Sequence, residues 1–364
     1  MLNTVAAAVQ VGALTTEIRE FKLPEIPADA GLLKVELSGI CGSDWPDYKK
    51  DGGPRILGHE VVGRIAKIGK IAEKRWGLKE GDRVALEEYL PCGYCDRCRT
   101  GEFRLCDFTD KWMGGIRYGA TNTIVEPSLW GGYSQYLYLH PNSVFHRIPD
   151  HVSSEEAALA LPLGNGIEWA VHEGGVGIGK TVLIQGPGQQ GLACVLAAKQ
   201  AGADLIILSG LTADKERFKI AKSLGADYTI DVSSEDLKEK IKEVTAGKMV
   251  DVVIDVASGG PSTITTGIDV VKKRGTVIVA GKKNRDIPNF YSDVLVSKYV
   301  ALKGVRGHSY GAVEQAVQFI SSGKFPLKEI CTHKFGLNQV DLALKTVGGE
   351  GLPGAIHCSV DPWN

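Results

Sequence analysis

The hexapeptide Gly186-Pro187-Gly188-Gln189-Gln190-Gly191 restricts the fold of this chain more than any other stretch, because it stands between a β-branched run and a helical one. Gly186 permits a sharp turn, Gly188 leaves room for a ligand to approach the backbone, and Gly191 lets helix and strand pack closely. The N–H groups that open the following helix suit a pyrophosphate. From residue 181 the chain alternates: strand 181–185, helix 190–201, strand 205–209, helix 215–224, then strands at 228–230, 250–256 and 276–280. Such alternation predicts a doubly wound parallel sheet of roughly 140 residues with a dinucleotide, NAD or NADP, over the loop.

Sites that take NAD carry an acid at the end of the second strand, where it holds the ribose hydroxyls. Gly210 occupies that place here, with Ser209, Thr212, Lys215 and Arg217 nearby. A neutral, hydroxyl-rich and basic-flanked pocket suits a 2′-phosphate better than bare ribose, so the reading tilts toward NADP. The alternative is that Asp214, displaced by a longer loop, supplies the acid. Together with Gly186, Gly188, Gln190 and Gly191, the cofactor set includes Val256 and Ala280. These end two later strands and are expected near the nicotinamide, unless they are simply small core positions.

Cys92, Cys95, Cys98 and Cys106 fall within fifteen residues. Two-residue gaps turn three thiolates toward one point, and the seven-residue gap lets Cys106 close a tetrahedron around zinc. Disulfides are the poorer reading: the chain has 364 residues, its start lacks the pattern of a secretory signal, and Cys41, Cys194, Cys331 and Cys358 are scattered as reduced thiols would be. The expected address is the cytoplasm. Lys plus Arg (42) balance Asp plus Glu (43) without a basic run, so no nucleic acid partner is expected. No apolar run reaches about 18 residues, so no membrane span is expected either.

The first 150 residues are rich in glycine and proline, with short runs such as 32–37 and 61–68 that read as an all-β domain. A glycine-bearing loop, 111–132, interrupts it. Trp45, Tyr48, Trp112, Tyr118 and Trp130 are candidates to line a substrate cleft, or else to pin the loop. Gly39-Ile40-Cys41-Gly42-Ser43-Asp44 and Gly58-His59-Glu60 offer a thiol, an imidazole and a carboxylate, but spacing alone does not join them. The division expected is 1–155, 156–300 for the dinucleotide domain, and 301–364 returning to the first domain.

Taken together, the cysteine cluster, the glycine loop, Gly58-His59-Glu60-Val61-Val62-Gly63, Gly81-Asp82-Arg83-Val84 and Gly132-Tyr133-Ser134-Gln135-Tyr136 make the chain similar to the zinc-dependent medium-chain alcohol dehydrogenases, polyol and sugar dehydrogenases included. The resemblance covers nearly the whole chain. It implies an α/β protein with a GroES-like β-barrel catalytic domain into which the Rossmann domain is inserted, two zinc ions per chain, and assembly as a homodimer or homotetramer. Cys41 and His59 are implied as ligands of a catalytic zinc, with Glu60 as a third ligand or an adjacent carboxylate that swings in. Ser43 is implied as the hydroxyl that meets the substrate oxygen, and Asp44 as the carboxylate that orients His59. The substrate is then a secondary, cyclic, aromatic or polyol-like alcohol, or the corresponding carbonyl, exchanging hydride with NAD(P).

Two positions depart from the resemblance. Leu161 stands where a further ligand is usual, and Trp45-Pro46 replaces the histidine that often completes a proton relay. Two other readings remain: a reductase of activated double bonds on the same fold, and a non-catalytic zinc-binding protein.

Overall fold

The computed structural model describes every residue except 1–3, 111–113 and 289. The chain divides into two compact units, one of residues up to Leu161 together with Val317–Asn364, the other Pro162–Ala316.

In the first unit, Thr15–Lys22, Thr4–Gly12 and Arg55–Ile56 form one sheet, while Gly31–Gly39 and Glu60–Ile68 form the centre of a larger one. Around that pair lie Cys331–Gly336, His357–Asp361, Arg83–Leu86 and Phe145–Arg147, and Tyr136–Leu139 also pairs with Gly31–Gly39. The C-terminal segment belongs here because His357–Asp361 hydrogen-bonds to Gly31–Gly39, with Ser359 opposite Gly39. The core between the sheets is built from Val9, Leu33, Val35, Ile56, Val61, Val84 and Leu137.

The second unit is a six-stranded parallel sheet in the order Tyr228–Asp231, Leu205–Gly210, Thr181–Gln185, Val250–Asp255, Val271–Val279, Ala301–Gly304. By position in the unit this is 3-2-1-4-5-6, the doubly wound order, so the fold class read from the sequence holds. Its inner strands are buried almost throughout, as strands covered on both faces must be. The strand Ala301–Gly304 extends the sheet past residue 300. Its four residues are all exposed, so no hydrophobic period marks it in the sequence. Among the described residues no helix is long and apolar enough to cross a membrane.

Candidate active site and metal centres

The cysteine cluster forms a cage. The Sγ atoms of Cys92 and Cys98 are 3.9 Å apart, as are those of Cys95 and Cys106. A disulfide needs about 2.05 Å; a tetrahedron with bonds to zinc of about 2.3 Å has edges of about 3.8 Å. All four cysteines are free thiols, and their ligand atoms lie within 4.8 Å of one another. Backbone N–H groups prepare them for charge: those of Tyr94 and Cys95 point at Cys92 Sγ, and that of Cys92 at Cys106 Sγ. Burial pushes the Cys106 thiol up, but the Thr109 hydroxyl and the N–H groups of Cys92, Phe108 and Thr109 outweigh it and bring it down to about 6. A thiol that ionises so readily suits a metal ligand, while burial and the three neighbouring thiols hold Cys98 above its ordinary value, as expected where four thiols share one site. The geometry therefore fits zinc, with no position left over for a substrate.

The second group is Cys41, His59 and Glu60, with ligand atoms again within 4.8 Å of one another. Strand register brings them together: Gly39 lies opposite Glu60 in the antiparallel ladder of Gly31–Gly39 with Glu60–Ile68. Cys41, two residues past one strand end, therefore meets His59, one residue before the other. His59, Glu60 and Asp44 are all buried. Asp44 Oδ1 lies 3.2 Å from His59 Nδ1, which leaves Nε2 as the ring nitrogen for a metal. Its Oδ2 accepts hydrogen bonds from the Tyr133 hydroxyl at 2.9 Å and the Cys41 N–H at 3.3 Å. Tyr133 belongs to the Gly132-Tyr133-Ser134-Gln135-Tyr136 motif, but nothing in the sequence assigns its hydroxyl to Asp44.

The electrostatics of this group are those of a cation site. Burial and the Glu60 carboxylate raise the Cys41 thiol, opposed by His59. Burial would lower His59, but the carboxylates of Asp44 and Glu88 overcome it and hold the imidazole well above its ordinary value. Asp44 and Glu60 are both buried beside this imidazole, and a divalent cation held there would offset their charge. Leu161 is buried and apolar. Ser43 is exposed beside Cys41, and its hydroxyl makes no capping bond to the short helix Asp44–Tyr48 that it precedes.

Three of the aromatic candidates lie in the core. Tyr48, Tyr118 and Trp130 are fully buried in the core of the first unit. The Tyr48 hydroxyl donates to Asp341, the Tyr118 hydroxyl pairs with Ser143 at 2.7 Å, and Trp130 Nε1 donates to the Val125 carbonyl at 2.7 Å. Tyr118 and Trp130 tie the loop to the core of the unit, and Tyr48 ties the short helix Asp44–Tyr48 to Asp341. Trp45 packs against Gly348, and Lys49 lies over its ring. Trp112 lies outside the described residues.

In the second unit the glycine loop has the shape a dinucleotide needs. Gly186 has φ +105°, and a side chain on it would come within 3.0 Å of Ala257. A Cβ on Gly191 would sit 1.9 Å from the Gly186 carbonyl oxygen, whereas one on Gly188 would meet nothing within 4 Å. The open face of Gly188 adjoins the helix Gln189–Gln200, which it caps. Gln190 Oε1 is buried with no hydrogen-bond partner among the described residues, as expected of a group awaiting a ligand.

At the end of the second strand, Ser209 and Gly210 are buried, while Thr212 and Lys215 are exposed. Asp214 Oδ2 accepts the Leu211 N–H at 2.9 Å and its Oδ1 accepts from Arg217 at 2.9 Å, so this carboxylate holds the turn. The Thr212 hydroxyl donates to Asp231 Oδ2 at 2.6 Å, and that bond, with those from Ser233, draws the Asp231 carboxyl below its usual range. Asp231 was missed in the sequence. The parallel register that sets it opposite Gly210 is what brings it here. Val256 and Ala280 follow the fourth and fifth strands: Val256 N–H bonds the Gln185 carbonyl, and Ala280 N–H the Asp255 carbonyl.

Comparison with known proteins places the chain in a family. The family model of the alcohol dehydrogenase GroES-like domain matches residues 27–150, and that of the zinc-binding dehydrogenases residues 191–322. A probable alcohol dehydrogenase of Mycobacterium tuberculosis is 37% identical over 353 residues, 95% of each chain. Sorbitol dehydrogenase of Bacillus subtilis is 31% identical over 350 residues, 94% of this chain and 93% of that one. Among solved structures, an alcohol dehydrogenase of Thermotoga maritima shares the fold with a TM-score of 0.86 at 24% identity, covering 98% of this chain and 99% of its own. With a cysteine cage, a Cys-His-Glu cluster and a glycine-loop parallel sheet in one chain, the protein belongs to the zinc-dependent medium-chain alcohol dehydrogenase family, the oxidoreductases that act on CH–OH groups.

Proposed function

We propose that the protein interconverts a secondary, polyol-like alcohol and its ketone with NADP as the hydride carrier, using one catalytic and one structural zinc. The observation that carries this reading is the convergence of Cys41, His59 and Glu60, with Asp44 behind the imidazole. In this reading Cys41 Sγ, His59 Nε2 and Glu60 would hold the catalytic ion. Zinc there supplies Lewis acidity, lowering the pKa of a substrate hydroxyl or polarising a carbonyl. The chain's own part is to orient. Asp44 fixes the His59 ring, Tyr133 and the Cys41 N–H fix Asp44, and the exposed Ser43 hydroxyl meets the substrate oxygen and passes its proton to solvent or cofactor, since Pro46 offers no base.

The polyol-like class is favoured because Tyr48, Tyr118 and Trp130 are committed to the core. It also fits relatives named sorbitol dehydrogenase, D-arabitol-phosphate dehydrogenase of Enterococcus avium and probable D-xylulose reductase A of Aspergillus fumigatus. NADP is favoured because Gly210 stands at the acid's place, Asp214 is occupied within its own turn, and Lys215 is exposed beside them. Assembly as a homodimer or homotetramer is supported by the exposed outer strand Ala301–Gly304, with Val296 and Tyr299 exposed beside it, since such an edge invites pairing.

A coupled screen of polyols, cyclic and aromatic alcohols and their ketones with NADPH and NADH tests the reading. Turnover of polyols or ketoses with NADPH preferred, lost when the accessible zinc is chelated, is the expected result. Turnover that survives complete chelation, or reduction of activated double bonds only, would overturn it in favour of the double-bond reductase.

A further inference from the structure

In the second unit a lysine and an aspartate are buried together at the carboxyl edge of the sheet. The Asp255 side chain is 0% exposed and that of Lys283 5%. Lys283 Nζ donates to Asp255 Oδ1 at 2.8 Å and to the Ala257 carbonyl. Asp255 is satisfied on every side: Oδ1 also accepts the Ala257 N–H at 3.1 Å, Oδ2 accepts the Thr263 hydroxyl at 2.8 Å, and its carbonyl accepts the N–H groups of Ala280 and Gly281.

Ala257 is the point where three segments meet. A side chain on Gly186, in the glycine loop after the first strand, would come within 3.0 Å of Ala257, and one on Gly281, after the fifth strand, within 2.3 Å of its carbonyl oxygen. Lys283 grips that same carbonyl. A buried ion pair adds little net stability, since desolvating both charges costs about what their attraction returns, and apolar residues of similar volume would hold the core as well. What apolar residues would not do is fix the direction of the Ala257 peptide.

We infer that Lys283 is a positioning residue for the dinucleotide: by holding Asp255 and the Ala257 carbonyl, it fixes the segments after the first, fourth and fifth strands in the one arrangement that seats the cofactor. The inference rests on the reading of the glycine loop as the NAD(P) site. Lys283 does not contact the reacting atoms. Its effect passes through the backbone of residues 255–257 and 280–281, so its loss weakens cofactor binding more than it weakens the fold.

The test compares wild type with K283M, K283R and the double variant D255N/K283M, by NADPH and NADH fluorescence titration and thermal melting. K283M leaves a buried carboxylate unpaired and melts earlier. The double variant removes that charge and regains the melting temperature of wild type, yet binds the preferred cofactor about tenfold or more weakly, the effect of losing one charge-assisted bond in the site. K283R, which keeps the donor, recovers part of the affinity. A double variant with wild-type affinity would overturn the inference while leaving the cofactor site in place. Wild-type protein that binds neither nucleotide would overturn the cofactor site and the inference with it.

Discussion

The two metal-ligand groups of the first unit are built on opposite plans. Cys92, Cys95, Cys98 and Cys106 come from one short loop, use four atoms of one kind, and close on themselves. Cys41, His59 and Glu60 come from two strand ends joined by register and mix three chemistries, with His59 and Glu60 buried, Cys41 half-buried, and a carboxylate behind the imidazole that steers it. The first arrangement can only hold a shape; the second has the ligand count that leaves a place for substrate. The same unit thus holds a closed cage of thiols and an open group of mixed ligands, and the contrast can be tested.

The largest effect is expected at the open group. Cys41→Ser, or selective chelation of the accessible ion, should lower kcat by at least about a thousandfold, because the Lewis acid supplies several kcal/mol of the barrier reduction. Circular dichroism and melting should stay close to wild type. The converse variant, Cys95→Ser, should lose the caged ion and lower the melting temperature by several degrees, read by calorimetry, with kcat reduced only about severalfold. Equal activity losses in the two variants would erase the contrast.

Removing the support rather than the ligand gives a smaller change. Asp44→Asn keeps the shape but weakens the hold on His59 and should cost about 10- to 100-fold in metal affinity or kcat, measured by competition with a chelator and by steady-state rates. Smaller still is the effect expected at the nucleotide end of the chain. Lys215→Glu should shift the NADPH to NADH preference by about tenfold toward NADH through KM, with kcat little changed. An unaltered ratio would count against a 2′-phosphate at Thr212 and Lys215.

How far the sequence could be read follows the same contrast. Local features were plain: the cage spacing, the glycine loop, and strands such as Val250–Asp255 whose apolar runs announce a sheet buried on both faces. Features that depend on register were hidden. Cys41 and His59, which the resemblance joined but spacing did not, lie eighteen residues apart and meet because Gly39 pairs with Glu60, and Asp231 joins Thr212 because Gly210 pairs with Asp231. The strand Ala301–Gly304 has too few residues and too much exposure to show a period. Tyr118 and Trp130 sit in a glycine-rich stretch that reads as a surface loop, while their rings are buried in the core. Composition describes a segment; it does not say which way the side chains turn.

Zinc content per chain, measured together with turnover in wild type, Cys41→Ser and Cys95→Ser, tests the central claim most directly. Two ions and activity are expected in wild type, one ion and no activity in Cys41→Ser, and one ion with kcat within about severalfold of wild type in Cys95→Ser. A wild-type protein that turns over alcohols with one ion, or a Cys41→Ser variant that retains two, would contradict it.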